Sequence, residues 1–138
     1  MKNIFLDTSY FIAILDRKDK NHEFAKSVAK NLKPCVFITS QIVLTEFLNY
    51  FSGRGKILRD NAVQLIEDLK LDKLVTIIPQ TSSLFNKAVE LYKSRSDKRY
   101  SLTDCSSMII LRSESIQEVL TTDKHFNQEG FCALLRCD

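Results

Sequence analysis

Ile4-Phe5-Leu6-Asp7-Thr8-Ser9-Tyr10-Phe11 is the stretch around which this chain is organised. Three apolar residues run directly into an aspartate, two hydroxyl residues follow, and a second apolar run begins. The pattern predicts a short strand, Ile4–Leu6, buried on both faces as in a parallel sheet, and then a helix capped by Thr8 or Ser9. Asp7 would lie at the carboxyl end of a central strand, where ligands bind in open α/β sheets. A lone aspartate at this position usually caps the following helix. Whether Asp7 has a catalytic role therefore depends on whether other acids occupy equivalent positions.

Length and composition fit one ordinary domain that spans residues 1–138. The net charge of +3 and the hydrophobic fraction of 44% indicate a globular protein without a strong overall field. Asp7 interrupts the apolar run that follows Lys2, which argues against a signal peptide, and no other stretch is long enough to cross a bilayer. We therefore expect a cytoplasmic protein that does not contact a membrane.

The cysteines have no CxxC spacing, which argues against a common zinc or redox motif. They are Cys35, Cys105, Cys132 and Cys137. We expect them to be reduced and mostly buried, as small apolar residues are in cytosolic proteins. A zinc site built from Cys132, Cys137 and His125 is a minor alternative.

Strands and helices alternate along the rest of the chain. Further strands are predicted over Cys35–Ile38, Leu74–Ile78, Glu118–Thr122 and Phe131–Leu135. Apolar residues at helical spacing predict helices between them, Thr39 and Ser40 are expected to open one of these, and Lys124–Gln128 fits a single turn. The alternation predicts one three-layer α/β domain with a mostly parallel sheet of four to five strands.

Four acids stand out against this layout. Asp7 and Asp123 each follow a strand directly, Asp104 lies in the first turn of a helix, and Glu46 lies on the apolar stripe of another. Each acid also has a plain structural role open to it. Ser101-x-x-Asp104 matches a capping box, and Asp123 can cap the turn after it. Glu46 can pair with a cation, because a carboxylate on an apolar stripe is costly when unpaired.

Taken together, the acids are the kind of ligand set that metal-assisted phosphoryl chemistry needs. Mg²⁺ prefers carboxylate and water oxygens. Two such ions can clamp the attacking and leaving oxygens of an in-line displacement. The spacing of the acids is a weak signal taken alone, because acids are common.

Rival phosphoryl-transfer classes fit the sequence poorly. A haloacid-dehalogenase phosphatase needs a second aspartate two residues after the first, where Ser9 stands. A receiver domain needs an acceptor aspartate after the third strand, where Pro79 and Gln80 follow. The chain has three glycines and no GxxxxGK or GxGxxG loop, which excludes the common nucleotide-binding motifs.

Short motifs along the whole chain resemble the four acidic motifs of PIN-domain ribonucleases, most closely those of VapC-type toxins from bacterial toxin–antitoxin pairs. They are Leu6-Asp7-Thr8-Ser9, Thr45-Glu46, Ser101-Leu102-Thr103-Asp104-Cys105 and Thr121-Thr122-Asp123-Lys124-His125-Phe126. The resemblance implies a PIN-like three-layer α/β/α sandwich. It also implies that a Mg²⁺- or Mn²⁺-activated water cleaves single-stranded or loop RNA. By motif position, the implied metal ligands and catalytic residues are Asp7, Glu46, Asp104 and Asp123.

The resemblance carries further expectations. The hydroxyls of Thr8 and Thr122 match neighbours that orient a ligand or a water. A homodimer is implied, together with a small antitoxin protein that blocks the acidic pocket. Two alternatives stay open: an RNA-processing PIN nuclease without an antitoxin, and a non-catalytic RNA- or protein-binding module on the same fold.

Two groups of basic residues are candidates for binding RNA, because an RNA path needs cations for its phosphates. The first group is Arg54, Lys56 and Arg59, and the second is Lys93, Arg95, Lys98 and Arg99. Either group can instead be a solvated face, and the first can meet a protein partner. His125 is a candidate for contacting substrate or assisting the leaving group.

Overall fold

The computed structural model describes residues 1–136 and shows one five-stranded sheet within them. Its strands are β1 Lys2–Leu6, β2 Cys35–Ser40, β3 Val75–Ile78, β4 Glu118–Leu120 and β5 Cys132–Ala133. The strand order is β3-β2-β1-β4-β5, and every pair is parallel. The prediction of a mostly parallel sheet of four to five strands is confirmed.

Helices connect the strands throughout. They are α1 Thr8–Leu15, α2 His22–Lys30, α3 Gln41–Phe51, α4 Lys56–Leu71, α5 Ser82–Ser94, α6 Leu102–Ser113 and α7 Lys124–Gln128. The helices α1 to α4 pack on one another, and α5 packs on α6. Right-handed crossovers place these two groups on opposite faces of the sheet, which gives the expected three layers. Within the described residues, no helix combines the length and apolar character that a bilayer crossing requires.

The strand β1 forms the centre of the core, as the opening stretch predicts. Ile4, Phe5 and Leu6 are at most 3% exposed. In the register of the sheet, Phe5 lies opposite Ile38 of β2, and Leu6 lies opposite Leu120 of β4. The chain moves outward from β1 to β2 and β3, and then returns to the other side of β1. This reversal makes the carboxyl ends of β1 and β4 a topological switch point, where α/β proteins bind ligands.

Some element ends differ from the prediction because side chains replace backbone pairing there. Thr39 and Ser40 are the last residues of β2, and Ser40 also opens α3 as predicted, because its hydroxyl accepts from the backbone N of Val43 at 3.2 Å. The strand β4 ends at Leu120 rather than Thr122. The backbone N of Thr122 donates instead to the Ser9 hydroxyl at 3.0 Å.

Smaller corrections concern the edges of the sheet and the cysteines. The strand β5 is only two residues long, and β3 starts one residue later than predicted. Cys35 and Cys105 are buried and free, whereas Cys132 is free but exposed, against the expectation of burial. Cys137 lies outside the described residues, and so does the zinc alternative that includes it.

Candidate metal and active site

Asp7 occupies the N-cap position of α1, yet its carboxylate makes no side-chain cap hydrogen bond to the helix. Its side chain points into the protein, and the residue is 4% exposed. Asp7 Oδ2 accepts a hydrogen bond from Thr121 Oγ1 at 2.7 Å. The carboxylate therefore does not serve the plain capping role that a lone aspartate usually has at this place.

Burial dominates the ionisation of Asp7 and raises its pKa to about 7. The hydrogen bond from Thr121 and the backbone of Thr8 act in the opposite direction, while the carboxylates of Asp104 and Glu46 raise the pKa further. Asp7 is thus an acid that needs a nearby cation to ionise fully at neutral pH. The same interactions show that three of the predicted acids lie within electrostatic reach of one another.

Asp104 is buried, and its two carboxylate oxygens have different surroundings. Its Oδ2 accepts from the backbone N of Ser101 at 3.1 Å and completes the predicted capping box of α6. The same oxygen lies 3.1 Å from His125 Nδ1. Within residues 1–136, Oδ1 makes no hydrogen bond, so capping leaves this oxygen available to a ligand. Burial raises the pKa of Asp104, the nearby Asp123 raises it further, and Ser101 and His125 lower it.

Asp123 also caps a helix, as its plain role predicts. Its Oδ1 accepts from the backbone N of His125 at 2.9 Å at the start of α7. Its own backbone N donates to Thr121 Oγ1 at 3.0 Å. The side chain is 30% exposed, so Asp123 is the more accessible of the two acids beside His125.

His125 lies between these two carboxylates. Its Nδ1 is 3.1 Å from Asp104 Oδ2 and 3.2 Å from Asp123 Oδ1. The contact with Asp104 is a hydrogen bond, and Nδ1 is its donor when the carboxylate is ionised, because an ionised carboxylate can only accept. Ligand atoms of Asp104, Asp123 and His125 all lie within 4.8 Å of one another. The i, i+2 spacing of Asp123 and His125 across a single helical turn is the sequence signal for this contact.

Glu46 lies half-buried on α3 and forms no ion pair within the described part of the chain. The alternative in which Glu46 pairs with a basic side chain is therefore not found in that part of the chain. Its carboxylate raises the pKa of Asp7, and Asp123 raises that of Asp104. These like-charge interactions place the four predicted acids, called the acidic cluster below, within electrostatic reach near the carboxyl ends of β1 and β4. Of these acids, Asp104 and Asp123 belong to the group whose ligand atoms lie within 4.8 Å of one another, and Asp7 and Glu46 do not.

Hydroxyl groups support the cluster, and the most important one is Thr121 rather than either predicted residue. Thr121 is fully buried and bonds to both Asp7 and Asp123. The hydroxyl of Thr8 is buried and has no hydrogen-bond partner in residues 1–136. For Thr122, the orienting role implied by the resemblance stays a prediction.

Arg95 differs from the rest of the second basic group because it binds a buried carboxylate. Arg95 donates to both carboxylate oxygens of Glu129, at 3.0 and 2.9 Å. Tyr100 Oη donates to the same carboxylate at 2.9 Å, and Arg112 also pairs with it. These partners, with Arg95 contributing most, lower the pKa of Glu129 to about 2 despite its burial. The ion pair provides Arg95 with a structural role, and no local pattern in the sequence indicates Glu129 as its partner.

The first basic group is exposed and makes mainly local contacts. The Arg54 guanidinium lies 4.0 Å from the centroid of the Tyr50 ring. Lys56 pairs with Asp60 one turn along α4. Arg59 Nη1 donates to the backbone O of Ser52 at 2.8 Å.

Comparison with known proteins agrees with this geometry. The chain is 29% identical over 128 residues to the 23S rRNA-specific endonuclease VapC20, recorded from two Mycobacterium tuberculosis strains, CDC 1551 and H37Rv. The match covers 93% of this chain and 95% of VapC20. The crystal structure of M. tuberculosis VapC20, described as a sarcin-ricin loop cleaving toxin, superposes with a TM-score of 0.83 over the same shares of both chains.

A more distant solved structure supports the fold alone. FitAcB from Neisseria gonorrhoeae is 16% identical, with a TM-score of 0.65 and 94% coverage of both chains. The family model of the PIN domain matches residues 4–131, which include all four acids of the cluster. This chain belongs to the PIN-domain family.

Proposed function

We propose that this protein is a metal-dependent endoribonuclease that hydrolyses RNA phosphodiester bonds and acts as the toxin of a toxin–antitoxin pair. The observation that carries the proposal is the acidic cluster itself, four carboxylates gathered at a topological switch point. The similarity to VapC20, whose name states an rRNA endonuclease activity, supports the same substrate class.

The residues of the acidic cluster suit a divalent metal such as Mg²⁺ or Mn²⁺. Carboxylate oxygens are the ligands these hard cations prefer. Asp7 and Asp104 have raised pKa values because burial and neighbouring carboxylates oppose their ionisation, and a cation would relieve both. The buried, unpartnered hydroxyl of Thr8 beside Asp7 adds a polar atom that a bound water can satisfy. Asp7, Glu46, Asp104 and Asp123 are the residues that would hold the ion.

A bound divalent ion would supply Lewis-acid chemistry, polarising phosphoryl oxygens and making water a stronger nucleophile at neutral pH. The chain itself supplies placement. Thr121 fixes the Asp7 carboxylate, and Ser101 with His125 fixes that of Asp104. No serine, cysteine or histidine nucleophile is required. His125, whose Nδ1 lies 3.1 Å from Asp104 Oδ2, is the group proposed to contact the substrate or protonate the leaving oxygen.

The remaining expectations are part of the same proposal. The substrate is RNA bound through the two basic groups, and the partner is a small antitoxin protein that covers the acidic cluster. The protein acts in the cytoplasm as a homodimer of one-domain chains. An RNA-processing PIN nuclease without an antitoxin is the alternative, and an adjacent short reading frame upstream separates the two.

The decisive experiment incubates the purified protein with a structured RNA that carries single-stranded loops, with Mg²⁺, with Mn²⁺ and with a chelator. We expect discrete cleavage that the chelator abolishes, and 5′-end sequencing of RNA after induced expression should locate the sites in cells. Metal binding and RNA binding without cleavage would instead indicate a non-catalytic module on the same fold.

A further inference from the structure

A basic cleft opens between the end of α5 and the start of α6. Its volume is about 420 Å³, and four of its lining residues are Tyr92, Lys93, Lys98 and Arg99. Tyr92 is 54% exposed, an unusual degree for an aromatic ring on a packed helix. Within residues 1–136, Lys93 and Arg99 form no ion pair, and Lys98 pairs only with its neighbour Asp97 at 3.8 Å. The side chains of Lys93 and Arg99 are therefore available to bind a ligand beside the exposed ring of Tyr92.

This cleft, the α5–α6 cleft, lies close to the acidic cluster. Tyr100 forms part of its wall, and the Tyr100 ring lies 5.4 Å from the ring of His125. His125 Nδ1 is in turn 3.1 Å from Asp104 Oδ2. Only two side chains thus separate the cleft from the carboxylates.

The inner wall of the α5–α6 cleft is fixed by Glu129. This carboxylate holds Arg95 from the end of α5 and Tyr100 from the start of α6, and Arg112 further along α6 also pairs with it. The side chain of Glu129 is 6% exposed, so the ion pairs are shielded from solvent. The wall is therefore preformed, which reduces the conformational cost of binding a ligand.

We propose that the α5–α6 cleft is an RNA subsite that holds a single-stranded nucleotide next to the scissile phosphodiester, with Tyr92 stacking on its base and Lys93 and Arg99 contacting phosphates. Stacking on an aromatic ring and cations along the backbone are how proteins bind single strands without reading sequence. Arg54 of the first basic group also lines a cleft, together with Arg17 and Lys18, but no aromatic residue lines that cleft for a base to stack on. The other two cations of the group, Lys56 and Arg59, are engaged locally. The inference rests on the proposed ribonuclease function and assigns its substrate path.

The test measures binding of a short, fluorescently labelled single-stranded RNA in chelator, so that the RNA stays intact. Tyr92→Ala should weaken binding about fivefold or more, the lower range for loss of one stacked base, and Tyr92→Phe should restore it. In the double variant Lys93→Ala with Arg99→Ala, the slope of log affinity against log salt concentration should decrease in magnitude by about 1.4, which corresponds to two phosphate contacts at about 0.7 each.

Phe85→Ala and Lys87→Ala are the matched controls: Phe85 is an exposed aromatic two turns earlier on α5, and neither residue lines the cleft. Both controls should bind as the parent does.

Cleavage by the parent protein with Mg²⁺ or Mn²⁺ is measured alongside and tests the proposed function separately. If the parent cleaves RNA but Tyr92→Ala and the double variant bind it with parental affinity and salt slope, the subsite is wrong while the nuclease stands. If those variants instead lose affinity only for a protein partner, the cleft is a protein-binding surface and the proposal is equally overturned. A parent that neither binds nor cleaves RNA overturns both proposals. Tyr92, Lys93 and Arg99 are exposed, and unchanged melting of the variants confirms that they fold.

Discussion

Thr121 donates a 2.7 Å hydrogen bond to Asp7 across 114 residues of sequence. Its oxygen also accepts from the backbone N of Asp123 and lies 3.1 Å from Ser9 Oγ. Because the Thr121 proton is committed to Asp7, Ser9 must be the donor in that last contact. One hydroxyl thus ties the ends of β1 and β4 together and holds Asp7 in place.

The first prediction concerns this bond. Thr121→Val keeps the shape of the side chain and removes the donor, so the pKa of Asp7 should rise further above about 7. We expect metal affinity and cleavage at neutral pH to fall roughly 10- to 100-fold, as for other residues that orient a ligand. Calorimetry with Mn²⁺ and a cleavage assay measure the two effects. Thr122→Val tests the adjacent hydroxyl, and equal losses in both variants would show that the bond to Asp7 is not the cause.

The second prediction is that Asp7→Asn nearly abolishes cleavage and leaves the fold intact. The amide has the same shape but cannot supply an anionic oxygen to a cation. Cleavage should fall by orders of magnitude, while the metal-free melting temperature at neutral pH stays the same or rises. Activity within a few-fold of the parent would remove Asp7 from the proposed site.

The third prediction concerns the pH dependence of the free energy of unfolding without metal. The pKa of Asp7 is raised from 3.8 in the unfolded chain to about 7 in the folded protein. The stability contributed by the protonated acid is therefore fully present below pH about 4 and is lost as pH rises through about 7. Three pKa units correspond to about 4 kcal/mol.

Divalent metal should reverse this trend, because it binds the ionised acids of the folded state and raises the melting temperature by mass action. Asp7→Asn should remove most of the pH dependence, and Glu46→Gln should reduce it and weaken the metal response. Thermal melting at neutral and mildly acidic pH, with chelator and with metal, is the measurement. Parallel pH profiles for the parent and Asp7→Asn would contradict the assignment.

The fourth prediction has the opposite sign and concerns Glu129. Its pKa is lowered from 4.5 to about 2, so the stability it contributes is present above pH about 4.5 and is lost as pH falls through about 2. Glu129→Gln should cost roughly 2–3 kcal/mol at neutral pH, less than a fully buried pair because Arg95 and Arg112 are partly exposed.

The same variant should lower the pKa of Tyr100, which burial and then Glu129 raise to about 12. Ultraviolet titration of the tyrosines reports this change independently of stability. Glu114→Gln is the control, since Glu114 is exposed and forms no ion pair within the described residues. A parental Tyr100 titration in Glu129→Gln would show that the two side chains do not interact in solution.

Local patterns in the sequence predicted the layout of this protein well. Apolar runs such as Ile4–Leu6 can be buried only at the centre of a sheet, and Ser101 with Asp104 forms the capping box that their spacing predicts. The four acids stand out because each follows a strand, starts a helix or interrupts an apolar stripe, whereas their assignment as metal ligands rests on the resemblance to PIN-domain ribonucleases. These signals depend only on neighbours along the chain.

Contacts between distant segments could not be predicted in this way. Thr121, and not Thr122, bonds to Asp7 because of the way β4 lies beside β1. Nothing near residue 121 in the sequence indicates which of the two hydroxyls reaches Asp7. Glu129 meets partners 34, 29 and 17 residues away, so no local spacing marks it. Its role depends on where α5, α6 and α7 come together.

The strand order has a consequence for the synthesis of the protein. Ribosomes make β1, β2 and β3 first, yet the neighbour that completes the other side of β1 is β4, which begins at residue 118. Until that strand is released, Asp7 lacks Thr121, and neither Asp123 nor His125 has joined the three acids made earlier, which are Asp7, Glu46 and Asp104. A nascent chain therefore carries an incomplete acidic cluster for almost the whole of its translation, and the proposed metal site can form only when synthesis is nearly finished.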